Sequence, residues 1–336
     1  MRIDLILESN NAPETVRDLG CLAEECGLGG VWVSNMSDGR DPFINFVPLA
    51  SATRRIAIGP IAVSPFELHP LKMANSLLTL NEFAGGRAQI VVGAGGGTAT
   101  AMGLEPQRRV RAVRECVEII QAASAGEPVQ YHGEIYEVKW FNPSWVTSAP
   151  PAVFVGAGGP QMLRSAARYA DGIMVSDFVV NHVRWARGIV DESLAETGRD
   201  PAAFSMNNFW AWHVKESAEE AEREARIWLA VRGTIYPNYV ETVLDASEAA
   251  VVNANTQAFI DAYHRKTPEI AGVPEEIVRK LVHGCTSACS LADIDREIQR
   301  LRDFRDAGLT QIALRIYDDP ADAIRVIGEH VVPALR

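Results

Sequence analysis

No apolar run in this sequence approaches the ~18 residues a membrane-spanning helix requires, so no span is expected. The opening MRIDLILESN breaks its hydrophobic stretch at Asp4 and shows no small-residue cleavage site, which argues against a secretory signal. Cysteine is scarce. Cys21, Cys26, Cys116, Cys285 and Cys289 are odd in number and lack framework spacing, so reduced thiols in a cytoplasm are expected rather than a disulfide scaffold. His283, Cys285 and Cys289 supply three metal-ligand types, but zinc ribbons prefer two tight pairs and only one loose cluster exists; small buried thiols are the simpler reading. Positive charge is also short: 32 Lys and Arg face 43 Asp and Glu, for a net charge of −11. Such a field repels phosphate backbones and anionic lipid, which excludes nucleic-acid and membrane-surface binding as expectations. Finally, no Ser-His-Asp elbow, P-loop or HExxH stretch is found, so hydrolase and kinase chemistry have no residues to rest on.

What is present is alternation. Short β-branched runs, Arg2–Glu8, Gly30–Asn35, Arg55–Val63, Arg87–Gly93, Pro151–Val155, Gly172–Val175, Phe204–Val214 and Gln311–Tyr317, are separated by helical patterns. Pro13 to Gly27 is typical, with Pro in the first turn, apolar Val16, Leu19, Leu22 and Ala23 at helical spacing, and Gly at the stop. Eight parallel strand–helix units, apolar enough to be covered on both faces, predict a closed (β/α)8 TIM barrel rather than an open sheet. The 336 residues then form one barrel domain, with a hairpin insertion near 127–138 and an irregular insertion near 233–290 holding two helical patches.

In such a barrel the chemistry sits at the C-terminal ends of the strands. That places Glu8, Ser34-Asn35-Met36, Ser176-Asp177, Asn207 to His213 and Arg315 to Asp318 on one rim. Two glycine turns stand out: Gly93-Ala94-Gly95-Gly96-Gly97-Thr98 and Gly156-Ala157-Gly158-Gly159-Pro160, the second leading straight into a helix. Bare backbone N–H groups at a helix start hold anions even in an acidic protein. Neither turn is a full dinucleotide fingerprint, and neither follows the first strand. Glu8 ends the first strand over what is expected to be an apolar mouth, a setting that makes it a candidate proton donor or charge stabiliser. Arg40 is a candidate substrate contact beside Asp41. Trp210 lies on a strand where one parity projects toward a ligand, and Tyr236 and Tyr239 are candidates to face substrate from the insertion. His69, before Pro70, reads as a turn cap.

Several of these stretches resemble a known family. His69-Pro70, the run Thr79 to Arg87 leading into Val91-Val92-Gly93-Ala94-Gly95, Met102-Gly103-Leu104, Arg108-Arg109, Gly126-Glu127-Pro128-Val129 with Tyr131-His132-Gly133, Val155 to Pro160 and Ala170-Asp171-Gly172 are similar to the luciferase-like flavin and deazaflavin oxidoreductases. Ser34-Asn35-Met36 with Arg40-Asp41, and Gly59-Pro60 through Ser64-Pro65, are most similar to methylenetetrahydromethanopterin reductase-like enzymes that use coenzyme F420. The resemblance implies a (β/α)8 barrel with a non-prolyl cis peptide, here Ile61–Ala62, against the deazaflavin ring. It places the ring near Asn35, Gly93 and Gly95, and the phosphate-bearing tail at Gly156, Ala157, Gly158, Gly159 and Pro160; Gly96, Gly97 and Thr98 join this cofactor set. Two departures are visible. Asn35-Met36 stands where the family often has Asp-His. Gly96 stands where the sugar-phosphate dehydrogenase branch has a Glu, which argues against a sugar phosphate substrate.

The expected activity is hydride transfer between F420 and a small organic substrate at a C=C, C=N or C=O carbon, in a homodimer or higher homo-oligomer. An FMN-dependent monooxygenase of the same fold is the alternative, and a ligand-binding barrel without turnover a second one.

Overall fold

A computed structural model describes residues 1–231 and 235–336. Its strands are β1 (Arg2–Leu7), β2 (Gly30–Ser34), β3 (Ala57–Ile61), β4 (Gln89–Val92), β5 (Val129–His132), β6 (Glu137–Phe141), β7 (Ala152–Gly156), β8 (Gly172–Ser176), β9 (Ser205–Lys215), β10 (Ser287–Ser290) and β11 (Gln311–Arg315). Eight of them lie side by side in the order β3-β2-β1-β11-β9-β8-β7-β4, all parallel. The two ends of that order meet through bridges Ile58–Ala88 and Val63–Val92. Gly59 permits the closure: a Cβ there would lie 1.9 Å from the Gln89 carbonyl oxygen. This is the expected (β/α)8 barrel. The ninth strand of the sheet, β10, adds to β9 outside the ring.

Each barrel strand sends alternate side chains inward. On β1 these are Asp4 and Ile6, leading to Glu8; Ile3, Leu5 and Leu7 face the helices. Ile6, Trp32, Ile61, Val91, Phe154, Met174 and Ala313 fill the middle of the barrel. Below them is a polar layer. The carboxylate of fully buried Asp4 accepts from Arg2 Nε at 2.8 Å and Nη2 at 2.7 Å, and from Trp32 Nε1 at 2.9 Å. Arg2 reaches on to Gln89 Oε1, and Asn207 to Gln311 Oε1.

The outer helices form where apolar residues recur every three or four positions. Arg109–Ser124 buries Ala112, Val113, Cys116, Val117 and Ile120 against the sheet. Pro occupies the first helical turn of Pro13–Glu25, Pro70–Phe83 and Pro160–Tyr169, where its missing N–H has no helical acceptor to lose. His69 caps its helix as expected, its Nδ1 accepting from Leu71 N at 3.2 Å. Among the described residues no helix is long and apolar enough to cross a membrane.

The antiparallel β5–β6 hairpin is tied down by buried Glu115, whose carboxylate accepts from the backbone of Glu134, Ile135 and Tyr136 at 2.9, 3.0 and 2.9 Å. The stretch from 233 is not irregular as expected, although residues 233 and 234 themselves lie outside the described residues. It folds into helices Pro237–Val240, Ala246–Ala254, Thr256–Arg265 and Glu275–Cys285, then β10, around an apolar cluster that includes Leu229, Val252, Phe259 and Leu281. These helices run 4 to 11 residues, too short for a repeating stripe to register in the sequence. One signal was legible: Asp245 and Glu248 form a capping box.

Candidate functional site

Strands β4 and β7 are neighbours, with Val92 opposite Val155, so the two glycine turns emerge side by side on the C-terminal rim. A Cβ on Gly156 would approach the Gly93 Cα to 3.9 Å. The turn after β3 joins them. The Ile61–Ala62 peptide is cis, as the resemblance implied, and exposed Ala62 faces Gly93 so closely that a Cβ there would stand 2.8 Å from the Ala62 methyl. Around this contact the surface is bare. Nothing lies within 4 Å of where a Cβ of Gly96, Gly97, Gly158 or Gly159 would be, and Gly159 is the N-cap of the helix Pro160–Tyr169. The arrangement is an open cradle of glycine and alanine with backbone donors at one end. From β2, Asn35 donates Nδ2 to Ala62 O at 3.3 Å and to Glu67 Oε2 at 2.7 Å, and Thr98 Oγ1 donates to Asn35 O at 3.2 Å. All four groups meet at the Ala62 edge of the cradle.

A cavity of about 450 Å3 is lined from β1, β2, β9, β11 and the insertion, and Ser34 and Met36, on either side of Asn35, are among its lining residues. Glu8, Ser34, Phe209 and Arg315 line it from the barrel; Trp228, Tyr263 and Lys266 from the far side. Arg315 is buried and donates to Leu7 O at 2.9 Å, to Ser34 Oγ at 3.0 Å, and to the Glu8 carboxylate. The apolar mouth expected around Glu8 is therefore replaced by an ion pair. Because a guanidinium has donors only, the bonded Glu8 oxygen is the acceptor and its partner oxygen remains for the cavity. Burial pushes the Tyr263 phenol pKa up, with the Glu8 and Asp38 charges adding to it, so Tyr263 keeps its proton as a donor. A space of about 560 Å3 adjoins this one through Trp228, Lys266 and Asp318.

The wall between them is built on one carboxylate. Glu224 lies 2.6 Å from His213 Nδ1 and 2.9 Å from Lys215 Nζ, and accepts from Asp318 N at 3.0 Å. His213 stacks on Tyr317 at 4.8 Å, and Tyr317 meets Trp228 at 4.5 Å. Burial opposes ionisation of Glu224, but the bonds from His213 and Lys215 outweigh it and hold its pKa below the usual value. A depressed carboxylate pKa contributes stability above the unfolded value that is lost as pH falls through the folded one. Glu224→Gln is therefore expected to flatten the loss of stability as pH falls from about 5 through and below the usual glutamate pKa. Urea midpoints across that range check it; parallel pH profiles for variant and wild type refute it.

The other residues singled out from sequence are scattered. Trp210 does not face a ligand: it is fully buried, donates Nε1 to Ser287 Oγ at 2.9 Å and packs edge-on against Phe304. The alternation on β9 sends Asn207 and Phe209 inward, so Trp210 has the outward parity. Arg40 is exposed and donates to Asn10 O in the loop after β1, while Asp41 caps the helix Pro42–Asn45. Tyr236 is 59% exposed, and Tyr239 packs toward Phe178; neither lines the cavity described. Missed were Glu67, Tyr263 and Lys266, which reach the site from a loop or the insertion, and Trp228, which ends the helix Ala218–Trp228; none carries a motif.

The bare cradle is open enough for a flat ring, and the cavity for a small reactant. The profile of the luciferase-like monooxygenase family matches residues 2–311, and the chain belongs to that family of oxidoreductases. A 5,10-methylenetetrahydromethanopterin reductase from Archaeoglobus fulgidus is 29% identical over 323 residues, covering 94% of each chain. An F420-dependent glucose-6-phosphate dehydrogenase from Microbacterium testaceum is 26% identical over 348 residues, covering 96% of this chain and 94% of the other. Among solved structures, a coenzyme F420-dependent tetrahydromethanopterin reductase from Methanopyrus kandleri superposes with a TM-score of 0.85 at 22% identity, over 100% of this chain and 99% of the other.

Proposed function

We propose that this chain is a coenzyme F420-dependent oxidoreductase that transfers a hydride between the deazaflavin and a small organic substrate at a C=C, C=N or C=O carbon. One observation carries the reading: Asn35, which bonds Ala62 O at the edge of the glycine cradle, stands between Ser34 and Met36, both of which line the cavity holding Glu8, Arg315 and Tyr263. The F420-dependence in the names of two relatives supports it. When bound, F420 supplies the hydride chemistry; the protein orients, polarises and excludes water. Gly158 and Gly159 would hold its tail by backbone N–H groups at the start of the helix Pro160–Tyr169, and Ala62, Gly93 and Asn35 its ring. As the substrate carbon gains or loses hydride, charge changes on the adjoining atom. The Tyr263 phenol donates to that atom, and Glu8, steadied by Arg315, holds or moves its proton. Ser34 and Leu7 O fix Arg315 in turn. The same reading makes the chain a cytoplasmic homodimer or higher homo-oligomer, which sedimentation of the purified protein checks.

Titration with F420 and with FMN, followed by absorbance and fluorescence, tests the cofactor. Saturable binding of F420 with a much higher Kd for FMN is expected. Preference for FMN would move the chain to the monooxygenase reading, and binding of neither would leave a barrel without turnover.

A further inference from the structure

The loop after β3 carries a carboxylate that the chemistry above does not use. Glu67 is half-buried, and its Oε2 takes one hydrogen of the Asn35 amide at 2.7 Å. The other goes to Ala62 O at 3.3 Å. The Asn35 backbone is pinned as well, its N–H donating to Ile61 O and its O accepting from Thr98 Oγ1. Asn35 is thus left with one free feature, the direction of its side-chain amide, which Glu67 at 2.7 Å sets more strongly than Ala62 O at 3.3 Å. An ionised carboxylate only accepts, so Nδ2 must turn to Glu67 and Oδ1 must turn away. Oδ1 makes no hydrogen bond among the described residues and stays open to solvent.

The loop holding Glu67 is itself anchored. Tyr136 Oη donates to Pro65 O at 2.9 Å, and Tyr136 N is one of the three bonded by Glu115. Glu67 N donates to Ser64 O at 3.0 Å. Burial pushes the Glu67 pKa up, and its partner is an amide rather than a cation. A carboxylate kept there has no evident gain for folding, and such groups concentrate at functional sites.

We propose that Glu67 is a positioning residue for the cofactor: by holding Asn35 Nδ2 it presents Asn35 Oδ1 as a hydrogen-bond acceptor to a ring N–H of the deazaflavin. This rests on the F420 reading above. Gln at position 67 offers both a donor and an acceptor, so only the longer bond to Ala62 O at 3.3 Å still favours one direction of the Asn35 amide. Asp at position 35 puts two carboxylates within hydrogen-bond distance. Exchanging acid and amide restores the donor–acceptor pair between positions 35 and 67 and leaves an acceptor facing the ring, with only the longer bond to Ala62 O given up.

The test is the F420 Kd of the full-length protein by fluorescence titration at neutral pH, for wild type, Glu67→Gln, Asn35→Asp and the double exchange, with melting curves to show each is folded. Glu67→Gln is expected to raise Kd about tenfold, the size of one charge-assisted hydrogen bond, and Asn35→Asp to raise it by more. The double exchange is expected to return to within about threefold of wild type, a coupling that loosened packing alone does not produce. Wild-type binding with an unchanged Kd in Glu67→Gln, or a double exchange no better than the worse single variant, overturns this proposal and leaves the F420 reading standing. Wild-type protein that binds no F420 overturns both.

Discussion

Glu8→Gln is expected to lower kcat by about 10²- to 10⁴-fold, the range for losing a positioned acid or base, while leaving the F420 Kd within about twofold. The asymmetry follows from placement. Glu8 lines the substrate cavity, whereas the cradle is made by Ala62, Gly93 and the turn after β7. Glutamine keeps the length of the side chain, and Arg315 remains fixed by Leu7 O and Ser34 Oγ, so the pocket keeps its shape. What is lost is the carboxylate that holds or moves the proton. Steady-state rates with a turned-over substrate, set beside the fluorescence Kd, make the measurement. Turnover unchanged within a factor of two would remove Glu8 from the chemistry and leave Tyr263 as the candidate.

The second large effect is on stability. Asp4→Ala removes the acceptor on which Arg2 and Trp32 converge inside the barrel, and Asp4 is fully buried. Breaking a buried pair by deleting one partner costs about 3–5 kcal/mol, because the remaining donors stay out of water with nothing to bond. Arg2 is the partial exception, its side chain being 32% exposed, which sets the expectation toward the lower end of that range. A fall in the urea midpoint at unchanged slope measures it. A loss below about 1 kcal/mol would mean that water replaces the carboxylate at no cost.

Much of the barrel could be read before any coordinates. Helix starts at Pro13, Pro70 and Pro160 and the short apolar strands carry local signals, and each strand lies within a residue or two of its expected position. The insertion was harder. Its helices are stabilised by packing around Leu229, Phe259 and Leu281 rather than by an unbroken stripe, so periodicity had little to act on. Trp210 shows a different failure. Its strand was right and its side was not, because parity on β9 is set by which neighbours face the barrel axis, and a single isolated strand carries no such reference.

The candidate site divides the same way. Local sequence determined the glycine turns and the presence of Glu8 on the rim, because a turn needing bare backbone, or a residue ending a strand, is specified within a few positions; the cis junction at Ile61–Ala62 was implied by the family resemblance alone. Only the tertiary structure decided what each of these meets. Arg315 pairs with Glu8 across 307 residues of chain, and Glu67 with Asn35 across 32. Tyr263 comes from an insertion helix to the same cavity as Glu8. Ion pairs and hydrogen bonds act over a few ångströms, so they depend on which strand ends the closed ring brings together, and ring closure is a property of the whole fold.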